Sequence, residues 1–194
     1  FTGGVNVNAG TVQANTNNSA LGGAAGTVAI AAAGTLDFAG GYDGNKTSTT
    51  VANGGNITNS AGANTYTSGI AVTTNVDIDA SAGTTLTLDG VISDAGGTNA
   101  SIDKTSTGTL VLSGTNTFTG GINVNAGTVQ ANTNAAALGD ATNGVIAIGA
   151  AGTLDFAGGY DGNKTSTTVA NGGNITSTAG ANTYTSGIAV TTHV

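Results

Sequence analysis

Residues Phe1–Asn17 read FTGGVNVNAGTVQANTN, and residues Phe118–Asn134 read FTGGINVNAGTVQANTN. Within each, Val5-Asn6-Val7-Asn8 or Ile122-Asn123-Val124 alternates apolar with polar residues, a period of two with β-branched enrichment that specifies a strand with one buried face. A glycine then introduces a second strand-like run, GTVQA, at Gly10 and again at Gly127. A long unit that recurs with such fidelity marks a repeat architecture.

The match extends well beyond this stretch. Thr35–Thr58 returns unchanged as Thr153–Thr176, after one inserted residue that the alignment places near Gly149, and the second copy reaches Val194, the partner of Val76. We therefore divide the chain into a first unit, 1–117, and a second, truncated copy, 118–194, forming one continuous solenoid. Divergence concentrates in Asn18–Ala33, where Asn18-Ser19 becomes Ala135-Ala136. An extra residue inside a paired strand would flip every later side chain, so this segment is expected to be a surface excursion.

A looser repeat lies inside the unit. Glycine-led strands start at Gly10, Gly34, Gly55, Gly83, Gly108 and Gly127, a mean spacing of about 23 residues that lies in the solenoid range. The same alternation appears at Leu36-Asp37-Phe38, Val76-Asp77-Ile78-Asp79 and Leu86-Thr87-Leu88, and no window carries a helical stripe. Clusters such as Gly40-Gly41-Tyr42-Asp43-Gly44 and Asn53-Gly54-Gly55 supply the corners. Asn-Gly hairpins would account for such dipeptides too, but like strands recurring once per spacing favour parallel coils stacked like on like. The expected fold is all-β, a parallel β-helix or β-solenoid of about eight rungs of roughly 23 residues, five to each unit. At the usual strand spacing this makes a rod about 40 Å long with an axial repeat of about 24 Å.

Composition bounds function. The chain has 194 residues with 34 Gly, no Pro, Cys, Met or Trp, and a net charge of −7 from ten acidic and three basic side chains. Every acid is Asp and every base is Lys. That little positive charge disfavours nucleic acid and anionic membrane surfaces as partners. General acid–base work and metal binding draw on His, Glu, Lys, Cys and Asp, of which only Asp is plentiful. Disulfides are impossible without Cys, and the longest apolar run, Val28–Ala33, is far short of a membrane span. The sequence reads as a piece of something longer.

Ala100–Ala131, ASIDKTSTGTLVLSGTNTFTGGINVNAGTVQA, closely resembles the autotransporter-associated β-strand repeat of Gram-negative passenger regions. Lys104, Gly108, Leu110, Leu112, Gly114, Asn116, Thr117, Phe118, Thr119, Gly120, Val124, Gly127 and Thr128 carry the resemblance; Ser106, Ile122 and Val129 depart from it without disturbing the apolar phase. It implies a right-handed β-helix on the bacterial surface, usually a stalk, with no catalytic residues and no cofactor to carry over. The expected role is thus a structural extracellular or cell-surface rod, without enzymatic activity and prone to end-to-end or lateral self-association. An adhesin surface that binds glycan, matrix or a sister rod is the alternative.

Three groups of residues are candidates for chemistry or contact. Asp77 and Asp79, two apart on a strand, are weak candidates for Ca²⁺, against a plain pair of solvated carboxylates. Tyr42, Asp43 and Lys46, repeated as Tyr160, Asp161 and Lys164, form a possible contact loop, against a glycine-rich turn with a weak local ion pair. Thr-x-Thr pairs at Thr47/Thr49, Thr65/Thr67, Thr85/Thr87 and Thr105/Thr107 raise ice binding as a third reading, although Thr is favoured in strands for other reasons. His193 stands alone and forms neither triad nor metal site.

Overall fold

A computed structural model describes residues 1–191. It is an all-β coil of parallel strands, about eight turns of some 22 residues, with no helix among the described residues. His193 lies outside them.

Each turn has three faces. The first turn places Val5–Val7 on face one and Thr11–Ala14 on face two; residues 17–22 close it on face three. Face one then stacks Val5, Val28, Thr49, Ile70 and Ile92 in parallel register. Face two stacks Val12, Leu36, Ile57 and Ile78, and face three stacks Asp43, Thr65, Thr87, Val111 and Gln130. Strands alternate inward apolar with outward polar side chains, and the inward set forms one continuous core from Val7 to Val169. A single turn cannot close such a core or pair its own backbone, so the stack is the folding unit.

The two sequence copies do not lie directly above one another. Face two continues upward from Asp77 to Asp103 and then to Asn123, Ala147, Thr168 and Ala189. Val5 is on face one, yet its counterpart Ile122 is on face two. Likewise Gln13 is on face two, while its counterpart Gln130 is on face three. Local structure is nevertheless retained: both copies show the same bulge, between Val7 and Ala9 and between Val124 and Ala126. The unit therefore spans five turns plus one face, and equivalent residues of successive copies are turned by one face around the coil.

The inserted residue is not near Gly149. Val5 pairs with Val28 and Ile122 with Ile146, so the copies are already one residue out of step before that strand begins. The extra residue sits in the corner that is Gly22–Gly26 in the first copy and Gly139–Gly144 in the second. An exposed corner absorbs the length change without a slip of register, whereas a strand would not.

Close stacking sets some residue choices. A Cβ on Gly34 would lie 2.1 Å from the Val7 carbonyl oxygen, and one on Gly152 2.0 Å from that of Val124. Only glycine lets these turns approach.

Candidate functional site

Asp77 and Asp79 do not share a role. Asp77 is exposed, and the neighbouring turn places Asp103 beside it. Partial desolvation by the packed strand, with the like charges of Asp103 and Asp79, raises its pKa above the usual carboxylate value. Asp79 is buried. One of its oxygens accepts from Thr105 N at 2.7 Å and Ser106 N at 2.8 Å, and the other from Thr105 Oγ1 at 2.6 Å. Lys104 Nζ lies 3.5 Å away. Burial pushes the Asp79 carboxyl up, but those donors and the ammonium outweigh it and hold it below its ordinary range. Its oxygens are thus committed to the turn above. No group of three or more His, Cys, Asp or Glu side chains is gathered among the described residues.

The repeated Tyr-Asp-Gly-Asn-Lys loop is mostly interior. Tyr42 and Tyr160 are fully buried. Tyr42 packs with Phe38 at 5.1 Å between ring centroids, and Tyr160 with Phe156 at 4.9 Å. Tyr66 and Tyr184 complete each aromatic cluster. The loop opens on a core aromatic because Gly40-Gly41 and Gly158-Gly159, all at positive φ, turn the chain back over the preceding Phe. Lys46 and Lys164 are also buried. Lys46 Nζ donates to the carbonyls of Gly22 and Gly23 at 2.6 and 2.8 Å, and Lys164 Nζ to that of Asp140 at 2.6 Å. Lys164 also lies 5.9 Å from the Phe118 ring centroid. Desolvation lowers both ammonium pKa values, that of Lys164 to about 8. Of the loop's candidates only Asp43 and Asp161 face solvent.

Lys104, wholly enclosed, donates to the Ser106 and Ala126 carbonyls. All three lysines therefore point inward and tie one turn to another. The outer surface keeps acidic side chains and no lysine.

The four Thr-x-Thr pairs do not share a face. Thr49 stacks on face one and is buried; Thr65 and Thr87 stack on face three; Thr105 is bonded to Asp79 at the corner beyond face two. The best-formed depression is a shallow groove of about 230 Å³ on face one, lined by Ser48, Thr49, Gly69, Ile70, Ala71, Val91 and Ser93. It holds no titratable side chain.

A device that the sequence reading missed recurs among the remaining carboxylates. Asp37 accepts from Gln13 below it and from Thr58 and Ser60 above, at 2.6–3.0 Å. Asp155 does the same with Gln130, Thr176 and Thr178. Asp94 accepts from Thr119 and Ala100. The signal was an outward-facing Asp followed by Thr or Ser one turn later. Buried amides act likewise: Asn116 accepts from Ile92 N at 2.8 Å and donates to the Ala137 carbonyl at 2.6 Å, bridging the turns on either side.

Chemically, this is a β-solenoid whose buried charges and amides staple successive turns together. Residues 1–14 and 102–131 match the family model of the passenger-associated-transport-repeat. The matched segments cover the turn that opens each unit and the turn beneath the second copy, a match consistent with a β-solenoid repeat region of autotransporter passengers. No curated protein and no solved structure matches the chain.

Proposed function

We propose that this chain is a rigid spacer: a length of passenger rod on the outside of a Gram-negative cell, without catalytic activity, that holds other parts of its protein away from the surface. The observation that carries this reading is the single core running unbroken through both copies, with the strand ladder of face two passing from one to the next. Buried lysines, stapling carboxylates and bridging amides all spend their polar groups on stiffness, which leaves few for chemistry. Adhesion through the Tyr-Asp-Gly-Asn-Lys loop gains no support, because its tyrosine and lysine serve the interior.

Two measurements test the proposal. Small-angle X-ray scattering of the purified chain should give an elongated particle about 40 Å long, from the usual spacing of stacked strands. Binding to immobilised glycans and matrix proteins should be absent. Saturable binding to one of them, lost on substitution of Asp43 and Asp161, would replace the spacer with an adhesin.

A further inference from the structure

Phe1–Asn15 and Phe118–Asn132 have nearly the same sequence and the same local fold, yet different surroundings. Phe118, Ile122 and Val129 are essentially fully buried, whereas Phe1 is 73 % exposed and Val5 and Val12 are half-buried. The difference is the turn beneath. In the second copy, Ser101–Lys104 pairs with Gly121–Val124, and Thr109–Leu112 pairs with Thr128–Ala131. Backbone bonds from Gly120 to Ala100 and from Thr128 to Gly108 close the joint.

The first turn, Phe1–Asn15, retains the features that this joint requires. A Cβ on Gly120 would fall 2.6 Å from the Ala100 carbonyl group, so the turn beneath demands glycine there. Its counterpart Gly3 has open space around it and no positive φ, and nothing within its own turn calls for glycine. Lys104 reaches up to the Ala126 carbonyl, and the equivalent residue, Ala9, is exposed on the first turn. The exposed apolar residues and the glycine are those of an occupied junction.

We propose that the end of the solenoid formed by Phe1–Asn15 is a docking surface for one specific occupant, a turn of the 101–117 type from another unit of this repeat. Each junction then repeats the geometry seen at Thr117–Phe118. This rests on the rod reading and adds a rule to it. Each unit advances by five turns and one face, about 26 Å along the axis, and three units bring the pattern back into phase after about 77 Å. Any surface feature of the unit is then shown on three sides in succession, so no single side of the rod carries it at every unit. The top of the coil, Asn174–Val190, is no substitute occupant: its counterpart Asn56–Val72 is covered inside by Val76–Asp94, not by a turn like the first.

The test compares this chain with one lengthened by an additional copy of residues 1–117 ahead of Phe1. Amide exchange across the original Phe1–Asn15 should slow roughly tenfold or more as the edge strand becomes internal. Nitroxide labels at Ala29, at Ala147 and at the added counterpart of Ala29 should report three positions on three different faces. Unchanged exchange in a lengthened chain that still scatters as two rods overturns the docking surface and leaves the rod intact. First and third labels on the same face overturn the rotation. A compact globule by scattering, for the original chain as for the lengthened one, overturns the rod reading itself.

Discussion

Lys104 Nζ lies 3.5 Å from Asp79 Oδ1, the lysine wholly enclosed and the carboxylate nearly so. Removing either partner has unequal consequences. Asp79→Ala strips Thr105 and Ser106 of their acceptor and leaves a buried ammonium without a counter-charge, a loss expected to cost about 3–5 kcal/mol. Lys104→Met keeps the stem's packing and leaves Asp79 with its three hydrogen bonds from Thr105 and Ser106, so the cost is expected to be nearer 1 kcal/mol. Urea unfolding midpoints of the two variants decide the order; a more damaging Lys104→Met would contradict this account of the pair.

Stability has a defined alkaline profile. Desolvation lowers Lys104, Lys46 and Lys164, the last to about 8 against an ordinary 10.5. Between those values the unfolded chain binds more protons than the folded one, so stability rises with pH across that window. The tyrosines act oppositely. Burial raises Tyr66 and Tyr160, and lifts Tyr42 to about 12 from 10.0. Above about pH 10 the unfolded chain loses phenolic protons that the folded chain keeps, and stability falls. Asp79 and Asp155, depressed on balance by their donors, stabilise above the unfolded carboxylate value, and that stabilisation is lost as pH falls through their lower folded values. Denaturant titrations at pH 7, 9.5 and 11.5 should show a maximum at the middle value.

The parallel stack was legible because period-two alternation and glycine-led strands are local signals. The rotation between units was written there too, in the 28-residue gap between Gly55 and Gly83. Gly55 leads a strand on face two and Gly83 one on face three, so that gap is a turn plus one face. Averaging it into a mean of about 23 concealed the step. The loop tyrosines and lysines could not be placed from sequence, because the positive-φ Gly-Gly pair before them reverses the usual reading of a polar loop as solvent-facing. The stapling carboxylates depend on which residue lies one turn above, and that requires the register.

Glycine substitutions separate crowding from backbone preference. Gly152→Ala would put its Cβ 2.0 Å from the Val124 carbonyl oxygen, and no rotamer change relieves a backbone clash. It should prevent the upper turns from stacking and expose the second copy to proteolysis. Gly83 sits at φ +74 with nothing within 4 Å of an added Cβ. Gly83→Ala therefore meets only the left-handed backbone penalty, about 1–2 kcal/mol, with the fold retained. Circular dichroism and limited trypsin digestion distinguish the outcomes.

The aromatic clusters contain two kinds of tyrosine. The Tyr42 and Tyr160 hydroxyls are buried without a hydrogen-bond partner, whereas the Tyr66 hydroxyl bonds with Thr49 Oγ1 on another face. An unpaired buried hydroxyl is a cost that the ring's packing against Phe38 must outweigh. Tyr42→Phe keeps the ring and removes the orphan, so it should leave stability unchanged or raise it by about 1 kcal/mol. Tyr66→Phe deprives the buried Thr49 of its partner and should lower stability by about 1–2 kcal/mol. Tyr42→Ala opens a cavity in the continuous core and should cost about 3–5 kcal/mol. Thermal unfolding of the three variants should fall in the order Tyr42→Phe, Tyr66→Phe, Tyr42→Ala, and a Tyr42→Ala protein as stable as the parent would mean that this ring does not belong to the core.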